Sequence, residues 1–239
     1  MKKVIVIGVI TLFIVVGFQS AFAVEPNKSS ADDTQVEEDI EPKDYLFETI
    51  IEIINNPDIK ELIEEYSYNI FKIDYNFKGI YLQILFNNPK LLFSLISPKP
   101  KVTYDNLNSA YDDGCEVVDI IGWDKSLEVI KSVKFSNPDI VDEFHNIILD
   151  DEELSNRISI LEELNEEDWD DTPIICAITM GILMGGLYGT AIAYELIELF
   201  NSSDSILLNM LLFGLWFFFY AVVSASIFIG IIYDCISFP

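Results

Sequence analysis

The chain has 239 residues, of which 51% are hydrophobic, yet it carries 40 acidic against 14 basic side chains and a formal net charge of −26. Three apolar stretches, residues 1–23, 173–194 and 206–233, contain two of the charged side chains, Lys2 and Lys3. The rest of the chain is therefore strongly acidic, which excludes a uniformly soluble single domain. It also excludes nucleic acid as a natural partner, because the acidic residues repel phosphates.

The N-terminus has the three parts of a secretory signal peptide. Two lysines precede an uncharged run over residues 4–18, and the small residues Ala21 and Ala23 follow as a cleavage pattern. We therefore expect residues 1–23 to be a signal peptide that is cleaved after Ala23. An uncleaved signal anchor is the alternative, and both versions export the residues that follow.

The next segment, residues 24–42, is polar and acidic and has few large apolar side chains. Such a segment buries too little apolar surface to offset the entropy lost on ordering, so we expect a disordered acidic tether. Asn27 begins an Asn-Lys-Ser pattern, which makes it a candidate N-glycosylation site on this tether.

An exported acidic domain of all-α fold is predicted over residues 43–171. Its apolar residues recur at intervals of three and four, which is the period of helices with one buried face. Three Asn-Pro dipeptides occur, at residues 56–57, 88–89 and 137–138. Each predicts a helix start, because Asn is a good N-cap and Pro suits the first helical position. Gly114 is predicted to follow a helix and Gly122 to break another.

The segments around the three Asn-Pro dipeptides resemble one another, although their spacing is unequal. Two architectures are therefore compatible with the acidic domain. One is a degenerate array of short helical pairs, and the other is an irregular helical bundle that uses the same helix start three times.

The sequence contains no motif of a catalytic or cofactor site, so we predict a protein that is not an enzyme and has no cofactor. Nucleophile-elbow, P-loop and dinucleotide-binding patterns are absent. His145 is the single histidine, which excludes zinc sites built from several histidines and favours a structural role. Acidic clusters at 112–113, 150–153 and 166–171 lack EF-hand spacing. We interpret them as solvated surfaces, with weak cation binding as the alternative.

Two apolar segments near the C-terminus, residues 173–194 and 206–233, predict a transmembrane hairpin over residues 172–239. Each segment is long enough as a helix to cross the hydrocarbon core, and the short connection makes the two helices antiparallel. Trp169 is predicted to anchor the hairpin at the membrane interface. Since the signal peptide exports the domain before the hairpin, we predict a multi-pass membrane protein whose soluble domain lies on the extracytoplasmic side.

The first apolar segment carries a stripe of small residues spaced four apart: Ala177, Gly181, Gly185, Gly189 and Ala193. This spacing aligns them along one slowly drifting helix face, where the missing side chains let another backbone approach. We therefore expect the stripe to pack against a helix. The candidates for that helix are the second apolar segment and the same stripe of another subunit.

Two of the three cysteines, Cys176 and Cys235, flank the predicted hairpin. An antiparallel hairpin brings them to the same outer end, so we hypothesise a disulfide formed in an oxidising exterior. The sequence by itself favours free buried or membrane-facing thiols over this bond, and Cys115 is unpaired in either case.

These features predict a function in general terms only. We expect a non-enzymatic interaction or structural module anchored in the lipid bilayer, with an unknown protein partner or self-association. The alternative is a small oligomeric channel or transporter accessory subunit assembled through the stripe. Against a channel, the apolar segments have no ionisable side chain at mid-depth.

Overall fold

The computed structural model describes residues 41–66, 71–72, 88–97, 101–135, 137, 139–165, 168–169, 172–200, 206–233 and 235. The predicted signal peptide with Ala21 and Ala23, most of the tether, and Asn27 lie outside these residues. Within the described residues the fold is all-α, which confirms the predicted fold class.

Nine helices form in the described part of the chain. They are α1 (Pro42–Asn55), α2 (Pro57–Glu65), α3 (Pro89–Ile96), α4 (Tyr104–Ile121), α5 (Trp123–Lys131), α6 (Asp139–Asp150), α7 (Glu152–Leu164), α8 (Ile174–Phe200) and α9 (Ile206–Ile232). Two antiparallel pairs of two-residue strands accompany them: β1 (Phe71–Lys72) with β2 (Lys134–Phe135), and β3 (Asp168–Trp169) with β4 (Thr172–Pro173). Strands this short build no sheet layer, so the helices form the core.

The asparagines of the three Asn-Pro dipeptides lie at helix starts, as predicted. Asn56 caps α2 by accepting a hydrogen bond from the backbone N–H of Ile59 at 3.2 Å. Asn88 caps α3 in the same way, accepting from the backbone N–H of Leu91 at 3.3 Å. Asn137 accepts one from the first residue of α6 at 3.1 Å. Each side chain satisfies a donor that the first helical turn would otherwise leave unpaired.

The prediction that Gly114 follows a helix is wrong, because Gly114 lies inside α4. This helix continues to Ile121 and ends at Gly122, whose φ of +86° lies in the region that favours glycine. Gly122 therefore ends the helix through its backbone conformation. Gly114 has a different role, which is a close contact with α8.

The helices surround one shared core, with the pair α8 and α9 inside it. The described residues form one compact unit. Helices α1, α3, α4, α5 and α7 contact α8, while α1 and α6 contact α9. We term α1 and α3 to α7 the covering helices. One contact shows the fit: the ring of Phe144 in α6 stacks on the ring of Phe228 in α9, with centroids 3.5 Å apart. This arrangement is the irregular bundle rather than an array of helical pairs.

The one arginine of the chain joins α7 to α1. Arg157 forms ion pairs with Glu52 and, at 3.7 Å, with Glu48, both in α1. Its guanidinium also lies over the ring of Tyr45, 5.4 Å from the centroid. The Arg157 side chain is only 18% exposed, so water screens these contacts less than it screens a surface ion pair.

We expect Arg157→Gln to lower the free energy of unfolding by about 1–2 kcal/mol, because two carboxylates lose a partly buried charged donor. Urea unfolding followed by circular dichroism measures this change. The matched control is Lys125→Gln, which removes a pair with Glu128 whose side chains are 41% and 63% exposed. The control should change the free energy by less than about 0.5 kcal/mol. Equal losses in the two variants would contradict a special role for Arg157.

Candidate functional site

The C-terminal hairpin is the candidate functional site of this chain. Its two helices contain segments of 25 residues each, Ile174–Glu198 and Leu208–Ile232, with mean hydropathies of 1.7 and 2.3. Both segments are long and apolar enough to cross a bilayer. The prediction of two long apolar helices at this end of the chain is therefore confirmed.

Protein covers most of the hairpin in this conformation. In each apolar segment, 78% of an 18-residue apolar stretch is buried inside the protein. Residues 178–190 of α8 and 218–230 of α9 are uninterrupted buried runs. The hairpin thus serves as the core of the helical unit, a role that the sequence analysis did not predict for it.

Helices α4 and α8 touch backbone to backbone. A Cβ added to Gly185 would lie 1.8 Å from the carbonyl oxygen of Ala110. A Cβ added to Gly114 would likewise lie 1.8 Å from the carbonyl oxygen of Gly181. Both distances are far below van der Waals contact, so Gly114 and Gly185 have no room for a side chain. Ala110 and Gly114 are four residues apart, which gives α4 a small-residue face of its own.

The predicted stripe of α8 does not have a single partner. Gly181 and Gly185 face α4, which was not among the partners considered from the sequence. Gly189 instead faces α9, where a Cβ added to it would lie 2.4 Å from the ring of Phe219. Residues spaced four apart rotate by about 40° at each step around a helix. The stripe therefore turns from α4 towards α9 along the length of α8.

The two alanines at the ends of the stripe do not identify a partner helix. Ala193 is fully buried and Ala177 is half-buried. A glycine outside the stripe, Gly186, also makes a close contact with α9, because a Cβ added to it would lie 2.5 Å from a methyl group of Val223. The α8–α9 contact therefore uses Gly186 together with Gly189.

The face of α4 opposite the hairpin is acidic. The buried face consists of Leu107, Ala110, Asp113, Gly114 and Val117. Asp113, only 6% exposed, accepts a hydrogen bond from the Ser94 hydroxyl of α3 at 2.8 Å. The other acidic side chains of the helix are exposed: Asp105, Asp112, Glu116 and Asp119. Water must therefore bathe one side of α4 while its other side lies against α8.

The base of the hairpin is closed by a disulfide. Cys176, near the start of α8, is bonded to Cys235, just past α9, with their Cα atoms 5.2 Å apart. The hydroxyl of Tyr233 donates a hydrogen bond to the carbonyl oxygen of Ile158 in α7 at 2.6 Å. Cys115 is free and half-buried. Its burial raises the pKa of the thiol, which disfavours the reactive thiolate.

The opposite end of the hairpin is less covered than its middle. We define the hairpin tip as residues 194–198 and 208–213. Its exposed apolar side chains are Tyr194 at 38%, Met210 at 69% and Phe213 at 49%. The hairpin thus has a disulfide-closed base and a partly exposed tip that carries apolar side chains.

Comparisons with known proteins do not supply a function. No family model, no curated protein and no solved structure matches the chain. The functional interpretation therefore depends on the residues and the geometry of the chain itself.

The other residues singled out in the sequence have surface or capping positions. His145 is exposed on α6. Asp151 of the acidic cluster 150–153 caps α7 by accepting from the backbone N–H groups of Glu153 at 3.0 Å and Leu154 at 3.1 Å. The predicted interfacial anchor, the side chain of Trp169, lies outside the part of the chain that the structure describes. Residues 166–167 and 170–171 of the last acidic cluster lie outside it as well.

No metal site is found among the described residues, where no group of three or more His, Cys, Asp or Glu side chains could hold an ion. Acidic side chains do line an open groove between α2 and α6: Asp58, Glu61, Glu65 and Glu143. Weak cation binding stays a prediction.

Proposed function

We propose that this chain is a membrane-associated interaction or structural module of the extracytoplasmic side, without catalytic activity. The observation that carries the proposal is the pair of apolar helices, each of membrane-spanning length, joined as one antiparallel hairpin. The acidic helical surface is the part of the molecule available to a protein partner or to a second copy of the chain.

Two features support the extracytoplasmic side. Disulfides persist in oxidising compartments, and one closes the base of the hairpin. The signal peptide predicted from the sequence leads to the same compartment. In this orientation the disulfide-bonded base lies outside and the hairpin tip points towards the membrane.

A covered hairpin and an inserted hairpin are two different conformations. The buried runs of α8 and α9 cannot face the covering helices and lipid at the same time. Helix α4 cannot follow them into the hydrocarbon, because its four exposed carboxylates would lose their water. Insertion therefore requires α4 to separate from α8. A hairpin that enters the bilayer as a helical pair keeps its backbone hydrogen bonds. Lipid can therefore replace α4 against α8 without leaving backbone groups unpaired.

The channel alternative needs the stripe of α8 to contact another subunit. In the covered conformation α4 occupies Gly181 and Gly185, and α9 occupies Gly189. The stripe is therefore unavailable, and no structural observation favours the channel over the module.

Vesicle flotation tests the proposed function. We expect the full chain to float with phosphatidylcholine vesicles and part of it to resist extraction by alkaline carbonate, as inserted helices do. A chain that stays in the soluble fraction would overturn the proposal, and the hairpin would then be the core of a soluble protein. Ion flux through the same vesicles would support the channel instead.

A cross-link between α4 and α8 tests the separation step. A Cβ added at position 181 lies 3.0 Å from the Sγ of Cys115, so a cysteine introduced there is within reach of an S–S bond. We expect oxidised Gly181→Cys to float with vesicles but to be removed by carbonate. The matched control combines Gly181→Cys with Cys115→Ser, which keeps the added side chain and omits the cross-link. Equal carbonate resistance of the two proteins would show that α4 does not have to leave.

A further inference from the structure

We propose that the hairpin tip is the surface through which the folded protein first binds a bilayer, and that the bilayer it fits is zwitterionic. This inference rests on the proposed function and assigns the lipid contact to particular residues. It concerns the covered conformation, before any helix separates.

The tip presents apolar side chains from both helices at the same height along the hairpin axis. Gly186 faces Val223 and Gly189 faces Phe219, so each step forward along α8 matches a step back along α9. This register places Tyr194 of α8 level with Gly214 and Leu215 of α9, next to Phe213. A Cβ added to Gly214 would meet no atom within 4 Å, so the surroundings of α9 are open here. The exposed side chains therefore form one end of the hairpin and are not scattered.

Aromatic packing runs from the tip into the covered part of α9. The ring of Phe213 lies 5.8 Å from that of Trp216, which stacks on Tyr220 at 4.9 Å. Aromatic side chains are enriched where membrane proteins cross the interface between water and hydrocarbon. Here they mark the boundary between the exposed tip and the buried run of α9, and the tip is continuous with segments apolar enough to enter lipid.

The charge of the hairpin tip argues against a second copy of the chain as its binding partner. Glu198 is exposed at the tip and Glu195 is half-buried beside it. A symmetric contact between two tips would bring these carboxylates near their counterparts, which disfavours association. Lipids with no net charge impose no such repulsion.

The same carboxylates select among lipids. The sequence has no Lys or Arg after Arg157, so nothing in the hairpin attracts an anionic headgroup. The whole chain has a formal charge of −26 and is repelled by a negatively charged surface. We therefore expect tighter binding to phosphatidylcholine vesicles than to vesicles that also contain phosphatidylglycerol, with a difference that shrinks as salt is added.

The test compares two double variants of the full chain. Met210→Glu with Phe213→Glu alters the tip, whereas Leu149→Glu with Ile120→Glu alters side chains of similar exposure, 57% and 48%, on α6 and α4. Both variants add the same charge at exposed sites, so both should fold, which circular dichroism and urea midpoints verify. In flotation with phosphatidylcholine vesicles we expect the tip variant to bind at least about tenfold more weakly, because apolar burial is lost. The control should stay within about twofold of the natural chain.

The outcomes separate this inference from the function on which it rests. If the natural chain binds and both variants lose binding equally, the tip is not the contact, while membrane association stands. If the natural chain binds no vesicle, the proposed function itself is overturned. Stronger binding to phosphatidylglycerol vesicles overturns the preference for zwitterionic lipid. A dimer without vesicles that the tip variant abolishes would overturn lipid as the occupant, in favour of a second copy.

Discussion

Replacing Gly185 by alanine is expected to lower the free energy of unfolding by about 3 kcal/mol or more, although alanine is the better helix former. The added Cβ would lie 1.8 Å from the carbonyl oxygen of Ala110 and 2.8 Å from its carbonyl carbon. A side chain could rotate away from such a clash, but a helix backbone cannot. Helices α4 and α8 would have to move apart, and the contacts on both sides of the crossing would loosen.

Gly214→Ala is the matched control, since it makes the same substitution in the neighbouring helix. A Cβ at that position meets nothing within 4 Å, so only helix propensity changes. We expect it to raise the free energy of unfolding by up to about 1 kcal/mol. Urea unfolding of both variants in one buffer measures the difference. Effects of the same sign and size would contradict the backbone contact between α4 and α8.

Removing the disulfide is the second change with a large expected effect. The Cys176–Cys235 bond joins residues 59 apart in the sequence, and such a cross-link restricts the unfolded chain strongly. For a closed loop of that length, we expect Cys176→Ser with Cys235→Ser to lower the free energy of unfolding by about 4 kcal/mol. Cys115→Ser, which breaks no covalent bond between residues, should have a much smaller effect.

Thiol labelling checks the pairing independently of stability. After unfolding without reductant, we expect one of the 3 cysteines to react, and this should be Cys115. With reductant all of them should react. Labelling of every cysteine without reductant would show that the disulfide is absent from the protein as isolated.

The local features of the fold could be predicted from the sequence. Asn56 and Asn88 cap helices because their side chains reach donors only three residues away. The three-to-four-residue spacing of apolar residues identifies helices for a similar reason, since it depends on the geometry of a single helix. Two long apolar segments are recognisable by composition alone.

The long-range contacts were harder to predict. A glycine that ends a helix and a glycine at a helix crossing are both required for their missing side chain, which is why Gly114 was misassigned. One signal was available: Ala110 and Gly114 repeat the four-residue spacing of Gly181 and Gly185. Matching the two small-residue faces would have suggested α4 as a partner of α8.

Covering of the hairpin could not be predicted from its own residues. A helix at the centre of a protein and a helix in lipid have the same apolar side chains, and both meet the length criterion. What distinguishes them is the neighbour, and here the neighbours are amphipathic helices that precede the hairpin in the chain. Their one-sided apolar faces were visible in the sequence, but the surface they cover was not.

In the proposed orientation, the acidic tip makes insertion of the hairpin depend on the membrane potential. In that orientation, the exposed carboxylate of Glu198 lies at the end that points towards the bilayer. Carrying a negative charge towards a negative interior costs about 2.3 kcal/mol per elementary charge for each 100 mV. A tip-first insertion therefore does electrical work against a resting potential. A polarised membrane would hold the protein at its surface, and depolarisation would lower the barrier to entry.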